Sequence, residues 1–479
     1  MTYKLLHHQE EGAEFLTGQS GGLLAFEQGL GKTLVAIDAF STLLFRNKVE
    51  QMLVVCPNSL KRNWKAEIEK FAPQLTVAIA EGSPKRRRAI FHQPDARVIV
   101  TSYETSRSEV TAILALLQRR RSVLVLDESH ATKNQSSQTS IAAQEFAPYA
   151  LYRWLLSGTP VTNTATDLHT QIGIIRPGRN PLGTVESFSA TLDSRPDDPR
   201  IRSVVDELIL RRTKEQCLDL PDKSFVDVRI ELEPWQRTLY DDMRHQMVCE
   251  IEAMTGEQYT AFASTALSQL TRLVQIATNP QLLFPELERD PAKFLALDNI
   301  LAEIMSVQGR KVILWSNYIR SIEVMLERFQ RFGAAAIYGG TPNDVRQDIA
   351  REFQEGEELR VLIANPAAAG TGFTLTAASH TVYESLSWRY DHYAQSQDRN
   401  HRIGQTQPVT YTRLLAADTI EDAIITALER KSILAGSLLG DGAVGEVVSQ
   451  LSRDQMCELL RTNRLPEVDQ VSDLDETVE

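Results

Sequence analysis

The chain has 479 residues, of which 42% are hydrophobic and 24% are charged, and both fractions are ordinary for a folded globular protein. This composition excludes a chain that is disordered throughout, a collagen-like repeat and a disulfide scaffold. At about 150 residues per domain, the length predicts roughly three domains. The formal net charge is -12, which taken alone argues against a polyanionic partner such as DNA.

The charge is distributed unevenly along the chain. Residues 1–220 carry 27 basic and 24 acidic side chains, whereas residues 221–479 carry 24 basic and 39 acidic ones. The segment 466–479 contains six acids and no Lys or Arg, which is typical of a solvated acidic tail. A locally basic surface on the first half of the chain is therefore compatible with the acidic total.

The cysteines and the apolar runs indicate the cellular compartment. The four cysteines are scattered and form no C-x-x-C pair, which disfavours a zinc site or a disulfide framework and fits a reducing compartment. No apolar run approaches the roughly 18 residues of a membrane helix, and the chain does not begin with a leader pattern. We therefore expect a cytoplasmic protein that does not associate with membranes.

In chain order, short apolar runs alternate with amphipathic helical patterns. Runs that are apolar along their whole length are typical of strands buried on both faces of a parallel sheet. In the first half these runs are LLAF, MLVVC, RVIVT, SVLVLD and YRWLL, and in the second half they are KVILWS, AAAIY, RVLIAN, HTVYES and PVTYTRLL. The alternation predicts an α/β fold with two tandem lobes, each a parallel sheet flanked by helices.

The same patterns predict the domain boundaries. We assign residues 1–220 to the first lobe, and residues 221–290, which read as mostly helical and acidic, to a linker with a helical insertion. The second lobe is predicted at 291–440, followed by a C-terminal helix and the acidic tail at 441–479. In such folds, ligands bind beyond the carboxyl ends of the strands, so the residues that follow the strands are the informative ones.

The segment from Glu27 to Thr33 follows the first apolar run and precedes a helical pattern, as a phosphate-binding loop does. Backbone amides around Gly29 and Gly31, together with the helix N-terminus, would cradle phosphates. Lys32 would reach the β- and γ-phosphates, and the hydroxyl of Thr33 would bind magnesium. The strict motif has a glycine at the position of Phe26, and a lone GKT can also be an ordinary helix start.

A pair of acids, Asp127 and Glu128, follows the run SVLVL. A carboxylate at the end of a buried strand can hold magnesium, directly or through water, and the next one can orient and deprotonate the attacking water. In isolation, DESH could equally be an acidic turn with a helix cap. The phosphate loop upstream in the same lobe favours the catalytic interpretation.

Together, the ordered motifs resemble those of the SWI/SNF-type ATPases of helicase superfamily two, from about His7 to Ile425. The junction between the lobes and the final signature HRIGQ are the most specific parts of this resemblance. The chain departs from the family pattern at Phe26, at Gln28 and in AAAGTGFTLTAAS. The matching segments are LLHHQEEGAEFL, LAFEQGLGKT, LVVCPNSLKRNWKAEIEKF, TSYE, VLDESHATKN, LLSGTPVTN, ILRRTKEQCLDLPDKSFVDVRIELEPWQRTLY, YGGTPNDVRQDIAREF, ANPAAAGTGFTLTAAS and QSQDRNHRIGQ.

The resemblance implies two RecA-like lobes with an ATP and magnesium site at their interface. Gln9 would read the adenine base, and Gly372 would also lie against the nucleotide. Arg399 and Arg402 would be arginine fingers that reach across the cleft to the γ-phosphate. A finger supplied by the second lobe makes hydrolysis conditional on closure, and closure is the motor stroke.

The resemblance also implies duplex DNA that is tracked along its phosphate backbone, without base readout or strand separation. Such tracking needs basic and hydroxyl side chains along one groove. We interpret the basic runs 85–88 and 119–121 as solvated faces. The candidate DNA contacts are Ser59, Lys61, Arg62, Thr101, Ser102, Tyr103 and Lys133 in the first lobe, and Thr371, Thr374 and Trp388 in the second.

Three functions compete at this stage. The first is an ATP-dependent double-stranded DNA translocase, and the second is a helicase that separates or anneals strands of DNA or RNA. A non-enzymatic DNA clamp is the third, and it is disfavoured because Lys32, Asp127, Glu128, Arg399 and Arg402 are all present. The chain looks like a compact bacterial or phage member without accessory domains. We therefore expect a partner protein to target it, and we favour a monomer.

Overall fold

The computed structural model describes residues 3–93, 95–158, 165–195, 198–263, 266–369, 373–434 and 451–466. Its first half is built on a sheet of seven parallel strands. The order across this sheet is β3-β4-β2-β5-β6-β1-β7. The strands are β1 (Gly21–Phe26), β2 (Gln51–Cys56), β3 (Val77–Ile79), β4 (Val98–Ser102), β5 (Ser122–Asp127), β6 (Tyr152–Leu156) and β7 (Ile209–Arg212).

The central strands are apolar along their length because helices cover both faces of the sheet. In β2, Leu53 and Val55 pack into one hydrophobic cluster, whereas Met52 and Val54 pack into the cluster on the opposite face. Successive side chains of a strand point to opposite faces, so both sets must be apolar. This arrangement confirms the interpretation of the short apolar runs as strands buried on both sides.

Helices flank the first sheet and connect its strands. Among the described residues, no helix is long and apolar enough to cross a membrane. The helices of the first lobe are α1 (His7–Gly18), α2 (Lys32–Phe45), α3 (Lys61–Phe71), α4 (Pro84–Phe91), α5 (Tyr103–Ser108), α6 (Val110–Arg119), α7 (Gln138–Phe146), α8 (Ala165–Ile175), α9 (Val185–Ser194), α10 (Pro199–Leu208) and α11 (Lys214–Cys217).

The second lobe is a sheet of six parallel strands in the order β10-β11-β9-β12-β13-β8. Its edge strand β8 lies within the segment predicted as a linker and pairs with β13 along its whole length. That segment therefore opens with a strand of the second lobe. The strands are β8 (Lys223–Ile230), β9 (Val312–Trp315), β10 (Ala334–Ile337), β11 (Val361–Ala364), β12 (His380–Tyr383) and β13 (Val409–Ala416).

The helical part of the predicted insertion packs on the same lobe. The hydroxyl of Tyr240 accepts a hydrogen bond from Ile420 N at 2.7 Å and donates one to Asn463 Oδ1 at 3.2 Å, which joins three distant segments. Segments 435–450 and 467–479, and with them most of the predicted tail, lie outside the described residues. The helices are α12 (Pro234–Ala253), α13 (Gly256–Ala263), α14 (Ala266–Thr278), α15 (Ala292–Ser306), α16 (Ile319–Phe329), α17 (Asn343–Glu355), α18 (Pro366–Ala369), α19 (Tyr390–Gln397), α20 (Glu421–Leu434) and α21 (Arg453–Thr462).

Candidate active site

The phosphate loop connects the carboxyl end of β1 to the start of α2, as its sequence predicts. Gly29 and Gly31 have φ angles of +90° and +85°, a left-handed conformation that side chains with a Cβ rarely adopt. Helix α2 begins without a side-chain cap at Gly31, so the amides of its first turn have no intrahelical acceptor. An uncapped helix N-terminus after a glycine loop is suited to binding a phosphate group.

Lys32 is almost fully buried beneath this loop. Its ammonium donates a hydrogen bond to the carbonyl of Phe26 at 2.8 Å, and its side chain is 9% exposed. Burial lowers the pKa of Lys32, although the charges of Glu128 and Asp127 oppose that effect. A buried ammonium is costly without an anion, so this position favours a negatively charged ligand.

Gln9 is hydrogen-bonded to the backbone of the phosphate loop. Its amide Nε2 donates to the carbonyl of Leu30 at 3.1 Å, and its Oε1 accepts from the amide of Leu6 at 3.0 Å. His8 Nε2 lies 3.0 Å from the same Leu30 oxygen. Each end of the Gln9 amide is therefore engaged once by the backbone, and an adenine contact at this residue would use the second N–H of Nε2 or the second lone pair of Oε1.

Asp127 is held rigidly at the end of β5. Trp64 Nε1 donates to its Oδ2 at 2.7 Å, and the amide of Glu128 donates to its Oδ1 at 3.0 Å. Tyr103 fixes the backbone here by donating its hydroxyl to the Asp127 carbonyl at 2.8 Å. Burial and then the neighbouring Glu128 charge raise the pKa of Asp127 to about 7, against the lowering effect of the Trp64 bond.

The bond from Trp64 to Asp127 leads to a testable prediction. We expect Trp64→Phe to lower the ATPase kcat by about 10- to 100-fold, the usual cost of losing a group that orients a site ligand, with little change in ATP affinity. Trp154→Phe is the matched control, since Trp154 is equally buried in the same lobe and donates its indole N–H to the carbonyl of Leu16 at 3.0 Å. Equal kcat losses in both variants would reduce Trp64 to a packing residue.

Glu128 lies at the corner between β5 and the turn that follows. Its φ of +51° is unusual for a side chain with a Cβ, and such backbone strain is typical of functional positions. Its Oε2 is buried 3.4 Å from Nδ1 of His130. Although burial raises the pKa of Glu128, the adjacent His130 and the charges of Lys32 and Arg399 lower it overall. These neighbours favour the ionised carboxylate, which is the form that a general base needs.

Arg399 reaches the phosphate loop from the second lobe. Its guanidinium donates through Nη2 to the Oε1 of Gln28, and it is oriented by bonds to the carbonyls of Gln395 at 3.0 Å and Phe373 at 3.3 Å. Gln28 in turn donates to Oε1 of Glu128 at 3.4 Å. One side chain of the loop thus joins the predicted arginine finger to the predicted general base.

Arg402 lies three residues further along the chain, in the segment that follows α19. Its Cβ would lie 3.0 Å from a Cβ added to Gly29, and its Nη1 donates to the carbonyl of Phe373 at 3.4 Å. Burial lowers the pKa of Arg399 to about 10, and burial also lowers the pKa of Arg402, where the charge of Glu67 opposes it. The interface therefore gathers three cations, Lys32 from the first lobe and two from the second, of which Arg399 is buried and Arg402 is half-buried.

The residues at this interface fit a nucleoside triphosphate with magnesium. Among the described residues, no group of three or more His, Cys, Asp or Glu side chains could hold a metal ion alone. Magnesium binds well to one or two carboxylates together with substrate phosphates and water, so Asp127 and the hydroxyl of Thr33 would suffice. Both Asp127 oxygens already accept a hydrogen bond, which favours contact through water. The predicted contact at Gly372 falls in the segment 370–372, outside the described residues.

A cavity of about 530 Å³ opens between the lobes. Asn58 and Ser59 line it from the first lobe, and the turn 339–342 with Arg346 lines it from the second. Because its walls are hydroxyl, amide and backbone groups with one guanidinium, it is suited to a phosphate backbone. The predicted contact Ser59 lies here. Sequence reasoning did not single out Arg346, whose guanidinium donates to the carbonyls of Tyr338, Gly339 and Thr341 and so holds the turn.

Several other predicted DNA contacts are covered by protein. The hydroxyl of Tyr103 is used by Asp127, and Ser102 Oγ accepts the amide of Thr105 at 3.2 Å as the cap of α5. In this structure these side chains have little surface available to a duplex, so their DNA contacts stay predictions. The covered side chains are Lys61 (8% exposed), Thr101 (0%), Ser102 (3%), Tyr103 (5%) and Trp388 (8%).

The remaining candidates are accessible or lie outside the described residues. Arg62 and Thr374 are exposed, and Lys133 is half-buried, 4.0 Å from Asp167. Thr371 falls in the segment 370–372, of which nothing is described. We therefore retain Ser59, Arg62, Lys133 and Thr374 as proposed contacts with a polyanion.

Two families of known sequences match the chain. Residues 8–282 match the family described as SNF2-related domain, and residues 292–404 match the helicase conserved C-terminal domain. An uncharacterized ATP-dependent helicase of Mycoplasma pneumoniae is 30% identical over 449 residues, which cover 91% of this chain and 42% of that protein. The putative ATP-dependent helicase/translocase YwqA of Bacillus subtilis is 28% identical over 459 residues, covering 92% and 48%.

Among solved structures, the Sulfolobus solfataricus SWI2/SNF2 ATPase core in complex with dsDNA is 26% identical. That similarity covers 97% of this chain and 98% of the archaeal chain, with a TM-score of 0.44. The chain spans less than half the length of the curated relatives named above. The matched families confirm the resemblance first seen in the ordered motifs.

Proposed function

Since the chain belongs to the SNF2-related family, we propose that it is an ATP-dependent motor that moves along double-stranded DNA. The observation that carries this proposal is the bond from Arg399 of the second lobe to Gln28 of the phosphate loop. Through it, the nucleotide site is completed only when the lobes meet. A site assembled by closure is what couples hydrolysis to movement.

Each group at the interface has a distinct part in the proposed hydrolysis. The amides of the phosphate loop and Lys32 bind the phosphate oxygens, and Glu128 takes a proton from the attacking water. Arg399 and Arg402 stabilise the charge that develops on the transferred phosphoryl group. Thr33 and Asp127 would hold a magnesium ion, which would supply neutralisation of the phosphate charge.

The cleft supports duplex DNA as the track. The cavity is lined from both lobes, so a backbone seated in it would be gripped by Ser59 on one side and by the turn 339–342 with Arg346 on the other. Lobes that hold one strand at two points can shift their grip as they open and close. Phosphate contacts of this kind carry no sequence information, so we expect translocation without sequence preference.

We expect duplex DNA to stimulate ATP hydrolysis more strongly than single-stranded DNA or RNA. ATPase rates measured across duplex, single-stranded and branched DNA and RNA check this expectation, and displacement of a triplex-forming strand reports movement. A forked duplex should remain paired. Unwinding of the fork would favour a strand-separating helicase, and a rate that no nucleic acid changes would contradict the motor.

Targeting belongs to the same proposal. A backbone-tracking motor has no sequence readout of its own, so we propose that a partner protein or a DNA structure directs this one in the cytoplasm, and that the motor itself acts as a monomer. Affinity capture from the native host and sedimentation of the purified chain test the two parts separately.

A further inference from the structure

The short segment that leaves the first sheet lies against both halves of the nucleotide interface. It comprises strand β7 and the four-residue helix α11, which begins at Lys214. The Thr213 side chain caps this helix, and the Thr213 amide donates a hydrogen bond to Oε1 of Gln216 at 3.0 Å. This reciprocal pair of bonds fixes the shape of the turn. Lys214 is 8% exposed although it is a lysine, which requires partners for its ammonium.

On one side, Lys214 is fastened to the phosphate loop. Its backbone amide donates to Oε2 of Glu27 at 2.9 Å, and the amide of Glu27 donates to the carbonyl of Arg212 at 3.0 Å. Its Cε lies 3.6 Å from the position that a Cβ on Gly29 would occupy. The main chain of Lys214 therefore moves with the loop that holds the phosphates.

On the other side, the ammonium of Lys214 holds the arginine segment of the second lobe. It donates to the carbonyl of His401 at 2.6 Å and forms an ion pair with Asp398. Asp398 and His401 flank Arg399, and His401 immediately precedes Arg402. His401 is fastened again near the same junction, where its Nε2 lies 2.9 Å from the carbonyl of Pro221.

We propose that Lys214 is a positioning residue that sets both arginine fingers against the phosphate loop. This inference rests on the proposed ATP hydrolysis and goes beyond it, because it assigns finger placement to a side chain of the lobe junction. The backbone of Lys214 is bonded to the phosphate loop, and its ammonium is bonded to the segment that carries Arg399 and Arg402. The length of one lysine side chain thus fixes the separation of the two.

The physical reason is that transition-state stabilisation depends on small distances. A displacement of about 1 Å at a reacting group can cost on the order of 10²-fold in rate. Removing the ammonium would leave the Asp398 carboxylate and the His401 carbonyl partly covered without their donor, and the segment between them would be free to shift. Binding of ATP to the loop needs neither partner, so affinity and turnover should separate.

The test compares Lys214→Met, Asp398→Asn and the double variant in the full chain. We expect Lys214→Met to lower the DNA-stimulated kcat by about 10- to 100-fold with the Kd for ATP changed by less than about threefold. Asp398→Asn should act in the same direction, and the double variant should be no slower than Lys214→Met, since the two side chains act as one unit. If the kcat loss of the double variant equals the combined losses of the two single variants, the side chains act independently and the proposal is overturned.

Lys311→Met is the matched control. Lys311 also donates its ammonium to two backbone carbonyls, those of Phe353 and Gly356, but these bonds lie wholly within the second lobe. We expect this variant to keep kcat within about twofold, since it touches no part of the interface. A similar kcat loss in Lys311→Met and Lys214→Met would show a general effect of losing a lysine and would overturn the proposal.

Hydrogen–deuterium exchange without nucleotide provides a readout that does not require hydrolysis. We expect Lys214→Met and Asp398→Asn to speed amide exchange in segment 398–404, whereas segments 122–127 and 409–416 stay protected. If the wild-type chain hydrolyses no ATP, the proposed function fails and the exchange data still decide the position of Lys214. If the wild-type chain is active and neither kcat nor local exchange changes in either variant, the positioning role is wrong and the proposed function stands.

Discussion

We expect Glu128→Gln to bind ATP and fail to hydrolyse it. Glutamine keeps the size of the side chain and an oxygen for the bond from Gln28, but it cannot accept the proton of the attacking water. A general base contributes about 10² to 10⁴ in rate, so DNA-stimulated turnover should fall by that factor. Because the phosphate contacts of Lys32 and the loop are untouched, ATP should stay bound and the closed state should accumulate.

Lys32→Ala should differ from Glu128→Gln in ATP affinity, and the comparison separates phosphate binding from proton transfer. This variant removes the buried cation beneath the loop, so ATP affinity should fall together with turnover. Equilibrium binding of a fluorescent ATP analogue, together with steady-state hydrolysis, distinguishes the two variants. Near-normal hydrolysis by Glu128→Gln would require another base, and tight ATP binding by Lys32→Ala would remove that lysine from the phosphate site.

The parts of the site that sequence predicted are those set by local chain geometry. A phosphate loop places Gly29, Gly31 and Lys32 within a few residues of the end of β1, and Asp127 and Glu128 stand at the end of another buried strand, β5. Parallel strands carry such residues to a common edge whatever the distance along the chain. The strands themselves could be predicted from apolar runs because they are buried on both faces of the sheet.

Features that depend on pairing over long distances were not predictable in this way. Strand β8 is exposed along most of its length and lacks an apolar run, and its identity as a strand follows from its pairing with β13, which lies far along the chain. Gln28 was seen only as a departure from a family pattern, yet it joins Arg399 to Glu128. The role of Lys214 likewise depends on contacts with Asp398 across the cleft.

Side-chain burial was the other quantity that the sequence could not supply. Tyr103 and Thr101 stand at a strand end where a groove contact was expected, but the structure turns both inward. Position relative to a strand determines which edge of the sheet a residue occupies, whereas the packing of α3 and α5 around it determines whether the residue reaches solvent. A structure is therefore needed to separate candidate contacts that reach solvent from those that are buried within the lobe.

The second large effect is expected at the arginine fingers. Arg399→Ala and Arg402→Ala should each keep ATP binding within a few-fold and lower DNA-stimulated hydrolysis by about 10³-fold or more, the lower bound typical of a finger. Arg399 is buried and Arg402 is half-buried at the lobe interface, and the guanidinium groups of both donate to the carbonyl of Phe373, which holds the two side chains together. The positive charges of both arginines are therefore absent from the nucleotide site while the lobes are apart.

Lysine substitutions show whether charge alone suffices. Arg399→Lys keeps a cation but loses the planar fork that bonds Gln28, Gln395 and Phe373 together, so we expect it to recover little of the lost rate. Arg402→Lys loses only one bond of this kind, to Phe373, and should recover more. Measuring kcat and ATP affinity for all four variants tests this ordering. An unchanged DNA-stimulated rate in either alanine variant would remove that residue from the reaction, while the other could still serve as the finger that makes hydrolysis depend on closure.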